Sequence, residues 1–361
     1  MFAHIEHPLL PQFQRAASYI ASCQQADGAI RWFDQGKLDP WDHTEAAMAL
    51  GIAGRENLAI NAFRWLAQQQ QANGSWQANY FLAPSDQEFD DTKVETNFVA
   101  YPATGLWHHY LIFSNTQTLR DFYPMVRAAI DYVVSQQSAH GDIQWAQSQR
   151  EPLPRDALVT ACSSVLRSLE CAVNIAITLG EPNAHWQLAH SRLADALRNK
   201  PWRFDRTWET KRRFSMDWFY PILAGIYSEQ EAQLRLEQRW HEFVVSDLGC
   251  RCVSDEPWVT AAESSELVLA CVAAGWRDRA ESIHRWLSQW QDTDGGFWTG
   301  YSFRDKVIWP QEKTSWTGAA YLLAADALFQ FTPAHDLLTR PHRIRASCAV
   351  TPPETPPDSP A

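Results

Sequence analysis

Several acidic residues in this chain stand at, or one turn inside, the starts of apolar stretches, where a carboxyl is placed to give or take a proton. They are Asp42 and Glu45 with His43 between them, Asp90, Asp91 and Glu95, Asp217, Glu263 and Glu312. An aspartate at a helix start also caps it, accepting backbone N–H bonds worth about 1 kcal/mol, and that ordinary role suits most of these positions taken singly. It does not suit Glu45, Glu95 and Glu263, which lie one turn inside apolar text where an unpaired charge is costly. Those three are expected to face a polar cavity. Two carboxyls whose surroundings push their proton affinities apart can serve as general acid and general base.

The chain holds 18 Trp, 17 Phe and 10 Tyr. Trp41, Trp107, Trp218, Tyr220, Trp258, Tyr301 and Trp316 fall beside the acidic positions and are the candidate substrate-binding aromatics, because such rings stack on a ligand or stabilise a cation. A basic cluster precedes Asp217: Arg203, Arg206, Lys211, Arg212 and Arg213, interleaved with Trp202, Phe204, Trp208 and Phe214. Arg206, Arg212 and Arg213 are candidates to hold a diphosphate by bidentate bonds. The competing reading is a solvated loop whose arginines pair with Asp205 and Glu209. No CxxH or HExxH cluster occurs, Cys250 and Cys252 lack the CxxC spacing, and His108-His109 reads as packing. No metal and no cofactor is expected.

The elements that must position these residues are helices of two alternating kinds. One kind is one-sided and charged: 9–25, 56–71, 118–137, 184–199, 228–245 and 277–291. The other is apolar nearly all round, with polar residues at its start: 43–54, 95–113, 157–179, 217–227, 260–275 and 315–330. A helix apolar on every side must be surrounded by protein, whereas a one-sided helix covers a surface. Six of each predict an all-α fold, an (α/α)6 toroid in which the inner-helix starts converge on one mouth. The alternative is an open superhelix of helix pairs. The charged segments end in related loops, Gly28 to Trp32, Gln71 to Trp76, Gln137 to Trp145 and Gln291 to Trp298. In these, glycine ends the helix, glutamine bonds orphaned carbonyls and tryptophan seals the next turn.

A formal charge of −11 disfavours nucleic acid and anionic membranes as partners. The first eleven residues lack the pattern of a signal peptide, and no run approaches a membrane span, so a cytoplasmic location is expected. Seven cysteines, an odd number, argue against a disulfide framework. Residues 1–348 are read as one toroidal catalytic domain, and the Pro-rich tail 349–361 as disordered.

The Gln…Gly…Trp units at 71–76 and 291–298 resemble the QW repeats of squalene-hopene cyclases and of the toroidal subunit of protein prenyltransferases, a likeness spanning residues 19–330. Glu88-Phe-Asp90-Asp91-Thr92 and Pro40-Trp-Asp42-His43-Thr44 each resemble part of the DxDDT acid motif of class II terpene cyclases. This resemblance implies an isoprenoid substrate, with Asp42 or Asp90 as proton donor. The prenyltransferase zinc site has no counterpart in 310–318, where neither Cys nor His occurs. A second stretch, from Leu106-Trp-His-His-Tyr110 through Thr118 to Pro124 and on to Asp131-Tyr132, resembles a hairpin of six-hairpin glycosidases. It implies a carbohydrate substrate held between paired carboxylates. The repeats cover more of the chain than the hairpin does, so the isoprenoid reading is favoured and the carbohydrate one is its alternative. A non-enzymatic scaffold would need apolar outer faces, and the outer helices are charged.

Overall fold

The computed structural model describes residues 10–81 and 92–345. Outer helices α1 (Leu10–Ser22), α3 (Glu56–Gln69), α5 (Thr116–Ser135), α7 (Ala184–Asn199), α9 (Glu229–Phe243) and α11 (Arg277–Leu287) alternate with inner helices α2 (Pro40–Ile52), α4 (Thr96–Phe113), α6 (Val159–Leu179), α8 (Ser215–Leu223), α10 (Ala261–Ala273) and α12 (Ser315–Phe329). The two kinds separate as their periodicity requires. Every residue of α2 is buried, whereas α9 buries only Ala232, Leu236 and Phe243. Each inner helix packs on the next in chain order, and α12 returns to pack on both α2 and α1. That closure makes the six-hairpin toroid and rules out the open superhelix.

The repeated loops supply the mechanism of closure. Gln24 Nε2 donates to the carbonyls of Gly28, in its own loop, and Leu58, in the next outer helix, at 3.1 and 2.9 Å. Gln70 does the same with Gly74 and Met125, and Gln137 with Gly141 and Ala189, all at 2.9 Å. Gln291 bridges Gly295 at 3.0 Å and Gln12 of α1 at 2.9 Å, joining the last hairpin to the first. In the second loop the bridging glutamine is Gln70; Gln71 instead accepts from the Ser75 hydroxyl. Each of these glycines has φ between 90° and 100°, and a Cβ there would lie 2.2–2.3 Å from the carbonyl oxygen of Asn61, Ala128, Arg192 or Arg15. Only glycine allows both the left-handed turn and this approach.

Two small antiparallel pairings lie in the connections. β1 (Val94–Glu95) pairs with β2 (Ala146–Gln147). β3 (Val244–Val245), β4 (Gly249–Arg251), β5 (Trp258–Thr260), β6 (Gly300–Ser302) and β7 (Val307–Ile308) form a five-stranded meander whose third strand runs into α10. The sequence reading has no strands, because runs of two or three residues are too short to show alternation.

Where α6 passes the far end of the ring, its buried Arg167 donates to Glu170 at 2.7 Å and to the carbonyls of Leu223 and Arg340. Arg340 returns a 2.7 Å bond to Glu170, and Asn174 bonds the backbone of Arg343 and Arg345. The segment after α12 is thereby strapped across that end. Of the described residues, α6 has the length and apolarity to cross a membrane, but 89% of its apolar window is buried inside the ring. The tail from 349 lies outside the described residues.

Replacing Gln291 by Ala removes the side-chain bridge between the Gly295 and Gln12 carbonyls at the seam and is expected to cost about 0.5–1.5 kcal/mol. Gly295→Ala adds a clash with Arg15 to an unfavourable φ and is expected to cost more than about 1 kcal/mol. Urea unfolding of both variants checks these figures.

Candidate functional site

The mouth of the ring is built from helix starts. Asp39 caps α2, accepting from the Asp42 backbone N–H at 2.9 Å with Oδ1 and from the Trp32 indole N–H at 2.9 Å with Oδ2. Pro40 follows at the first helical position, where its missing N–H costs nothing. This fixes Asp42 in the first turn and Glu45 one turn on, at i,i+3 spacing on one face. Across the mouth, α10 repeats the spacing with Glu263 and Glu266. All five carboxyls are at least nine-tenths buried.

Burial first, and neighbouring charges after it, raise the proton affinity of Asp39, Asp42, Glu45 and Glu266. Asp42 is held well above the usual carboxylate range by burial and by the charges of Asp39 and Glu45. Glu266 is raised likewise, by burial and then by Glu45, Glu263 and Asp42. Glu45 is pushed up to about 7 by burial, against the lowering effect of the Tyr101 hydroxyl, which donates to its Oε1 at 2.6 Å. Among the described residues, Oε2 of Glu45 and Oε2 of Glu266 are buried and have no direct hydrogen-bond partner, and the Trp316 indole beside Glu45 also lowers its proton affinity. Trp41 stacks on Tyr101 with centroids 4.0 Å apart and leans toward Tyr220 at 5.9 Å, giving the acids an aromatic wall.

Other candidates take different places. Glu95 pairs with Lys93 at 2.6 Å on the rim, and Glu312 is half-buried there, its carboxyl raised by burial. Asp217, raised to about 6 by burial and then by Asp205, borders a cavity of 220 Å³ between the starts of α6, α8 and α10, together with Glu263 and Cys252. A second cavity of 510 Å³ adjoins it, sharing Val159 and Asp217 and reaching Arg212. Trp316 is partly buried at the start of α12. Asp90 and Asp91 lie outside the described residues.

Several candidates are engaged in packing or pairing, although Trp218 and Arg212 also line the 510 Å³ cavity. His43 is not among the acids: the Ile30 N–H donates to its Nδ1 and its Nε2–H reaches the Ala62 carbonyl, both at 3.0 Å, and burial lowers it to about 4. It ties α2 to α3 as a neutral ring. Trp107 sits deep in α4, stacked on Tyr110 with the Arg345 guanidinium 4.7 Å over it, at the strapped end. Trp218 is buried against Phe243 and donates to the Arg235 carbonyl, so it joins α8 to α9. Trp258 donates to the Trp309 carbonyl and Tyr301 stacks on Trp290, both within the meander region. The basic cluster is no anion cradle. Arg203 pairs with Asp142, Arg206 with Asp156 at 3.3 Å and Arg213 with Asp255 at 3.0 Å, while Arg212 offers its carbonyl to Arg239. The segment is a loop of paired arginines, as the competing reading has it, but the partners are not Asp205 and Glu209. Asp205 instead accepts from Trp208 and Lys211 to shape the loop.

Three potential metal ligands, Glu170, His190 and His342, do meet, with ligand atoms within 4.8 Å. They lie about 16 Å along α6 from its mouth end. Arg167 and Arg340 already hold the carboxylate, and two guanidinium charges oppose a cation there. His108 and His109 are buried, lowered by that burial to about 3 and 4. Asp39, Tyr101 and Glu266 are the mouth residues that sequence reasoning passes over. The repeated i,i+3 acid spacing in α2 and α10 is the available signal for Glu266.

No protein-family model matches the chain. Over 326 residues it is 42% identical to the MMP endo-(1,4)-3-O-methyl-α-D-mannosidase of Mycolicibacterium hassiacum, across 90% of this chain and 88% of that protein. Among solved structures, a glycosidase variant in complex with glucose superposes with a TM-score of 0.69 at 14% identity, covering 91% of this chain and 97% of its own. D-mannose isomerase superposes with a TM-score of 0.67 at 13% identity, covering 90% and 100%. These structural likenesses concern the fold. The sequence relative overturns the isoprenoid reading and supports the carbohydrate alternative: the Gln–Gly repeats specify ring closure, not prenyl chemistry.

The raised Glu45 sets a pH dependence. Its folded value of about 7 stands above the ordinary 4.5, so between those values the native state keeps a proton that the unfolded chain releases. Its contribution to stability therefore falls as pH rises through that window. Glu45→Gln is expected to flatten that slope, and Tyr101→Phe to move the Glu45 titration upward, as followed by carboxyl carbon NMR.

Proposed function

We propose that this chain, which belongs to the family of the M. hassiacum endo-mannosidase, hydrolyses internal (1,4) bonds in a chain of 3-O-methyl-α-D-mannosyl residues. The observation that carries the reading is the convergence of acid pairs from α2 and α10 in one buried, aromatic-walled mouth.

Hydrolysis needs one carboxyl that holds a proton at neutral pH and another that accepts one. Asp42 suits the first role, since burial and then the charges of Asp39 and Glu45 raise its proton affinity well above the usual carboxylate range. Its proton passes to the glycosidic oxygen as the bond from that oxygen to the anomeric carbon breaks. Glu263, at the edge of the cavity facing the mouth, takes a proton from the water whose oxygen forms the new bond to that carbon. One water is consumed and two shorter chains result. α12 stands between α2 and α10 in the ring, so the two carboxyls come from separate walls, and the reaction is read as direct displacement by water with inversion. Glu45 and Glu266, each with an unsatisfied oxygen, are suited to bond sugar hydroxyls, and Trp41 to cover an apolar sugar face. The adjoining cavities of 220 and 510 Å³ give the length that cleavage within a chain requires.

Wild-type protein incubated with a (1,4)-linked 3-O-methyl-α-mannan is expected to yield oligosaccharides of intermediate length before any monosaccharide. Asp42→Asn and Glu263→Gln should each lower kcat by about 10²–10⁴-fold. Full activity in both variants, or single sugars as the first product, would contradict the assignment.

A further inference from the structure

We propose that the 220 Å³ cavity between the starts of α6, α8 and α10 is the subsite that recognises the methyl ether of the substrate, with Met216 and Val159 as the selecting side chains. This rests on the endo-mannosidase reading above and extends it from bond cleavage to substrate choice.

The lining is mostly apolar, from Leu158, Val159, Phe214 and Met216, and its charged groups are Lys211, Asp217 and Glu263. A free sugar hydroxyl set against these apolar residues meets aliphatic and aromatic carbon and loses its bonds to water, a loss that a hydroxyl without a partner does not recover. A methyl ether in the same place has no proton to donate and gains apolar contact. Asp217 and Glu263 offer carboxyl oxygens to the remaining hydroxyls of the same ring. At 220 Å³ the space exceeds one methyl group and admits the edge of a sugar ring carrying it.

The local sequence explains why this wall is rigid. Leu158 and Val159 are the N-cap and first residue of α6, whose N-cap makes no side-chain bond, so apolar groups are tolerated at its start. Phe214 is held by a backbone bridge to Val253, beside the meander, and Met216 sits in the first turn of α8. Three separate inner helices thus contribute to one partly apolar pocket at the point where Glu263 enters the mouth. A hydrolase for unmethylated chains would gain from polar residues here.

The test compares kcat/KM on matched (1,4)-α-mannan oligosaccharides with and without 3-O-methyl groups, in wild type, Val159→Thr, Met216→Gln and the apolar control Met216→Leu. Calorimetric titration of methyl 3-O-methyl-α-mannoside and methyl α-mannoside runs alongside. Wild type is expected to favour the methylated chain by about tenfold or more, and each polar variant to reduce that ratio by about threefold or more, while Met216→Leu keeps most of it. A preference that is the same in both polar variants as in wild type would overturn the subsite. Equal cleavage of both chains by wild type would overturn the subsite and leave the hydrolase reading standing. Selective binding of the methylated sugar with cleavage of neither chain would do the reverse.

Discussion

The structure depends on the clamp in which a loop glutamine bonds its own glycine's carbonyl and a carbonyl of the next outer helix. A hairpin of one buried and one amphipathic helix cannot bury its inner member alone. It needs a neighbour on each side, and the clamp fixes how far round the neighbour sits. Gln291 and Gly295, acting on α1, turn a row of such contacts into a ring. Beside that seam, α12 packs directly on both α1 and α2 and completes the wall next to the acids of α2.

A ring with a rigid circumference can tolerate what a looser fold cannot. Asp42, Glu45, Glu263 and Glu266 are buried together with little basic compensation, a costly arrangement. The cost is reduced because protons stay on some of the carboxyls and because Tyr101 and the capped start of α2 supply hydrogen bonds. Buried acids gathered at one mouth are the pattern expected where function opposes stability. The far end shows the contrast. There Glu170 lies between Arg167 and Arg340, is held well below the usual carboxylate range by their charges, and serves to fasten the strap.

Much of this is legible in the sequence, for physical reasons. Helix periodicity locates all six hairpins, because a helix such as α2 that is apolar on every side can lie only inside the protein. Glu45 and Glu263 stand out because a glutamate one turn inside buried text is too far along to cap the helix. Glu266 escapes notice because it lies two turns in, where sequence does not reveal which side faces the axis. Tyr101 reads as core and Asp39 as a cap, and both do those jobs while also facing the acids. His43 misleads by its place between two acids: a helix turns by about 100° per residue, so a neighbour in sequence points elsewhere. The repeats mislead most. They carry a packing instruction and do not specify a reaction.

The central claim is that a water held between carboxyls of α2 and α10 displaces the sugar directly. Proton NMR of the newly formed reducing end, recorded within the first turnovers on a (1,4)-linked 3-O-methyl-α-mannan, tests it most directly. The account predicts that the β-anomer appears first and relaxes to the equilibrium mixture. Initial appearance of the α-anomer would contradict it, since retention requires a glycosyl group carried on one of the carboxyls.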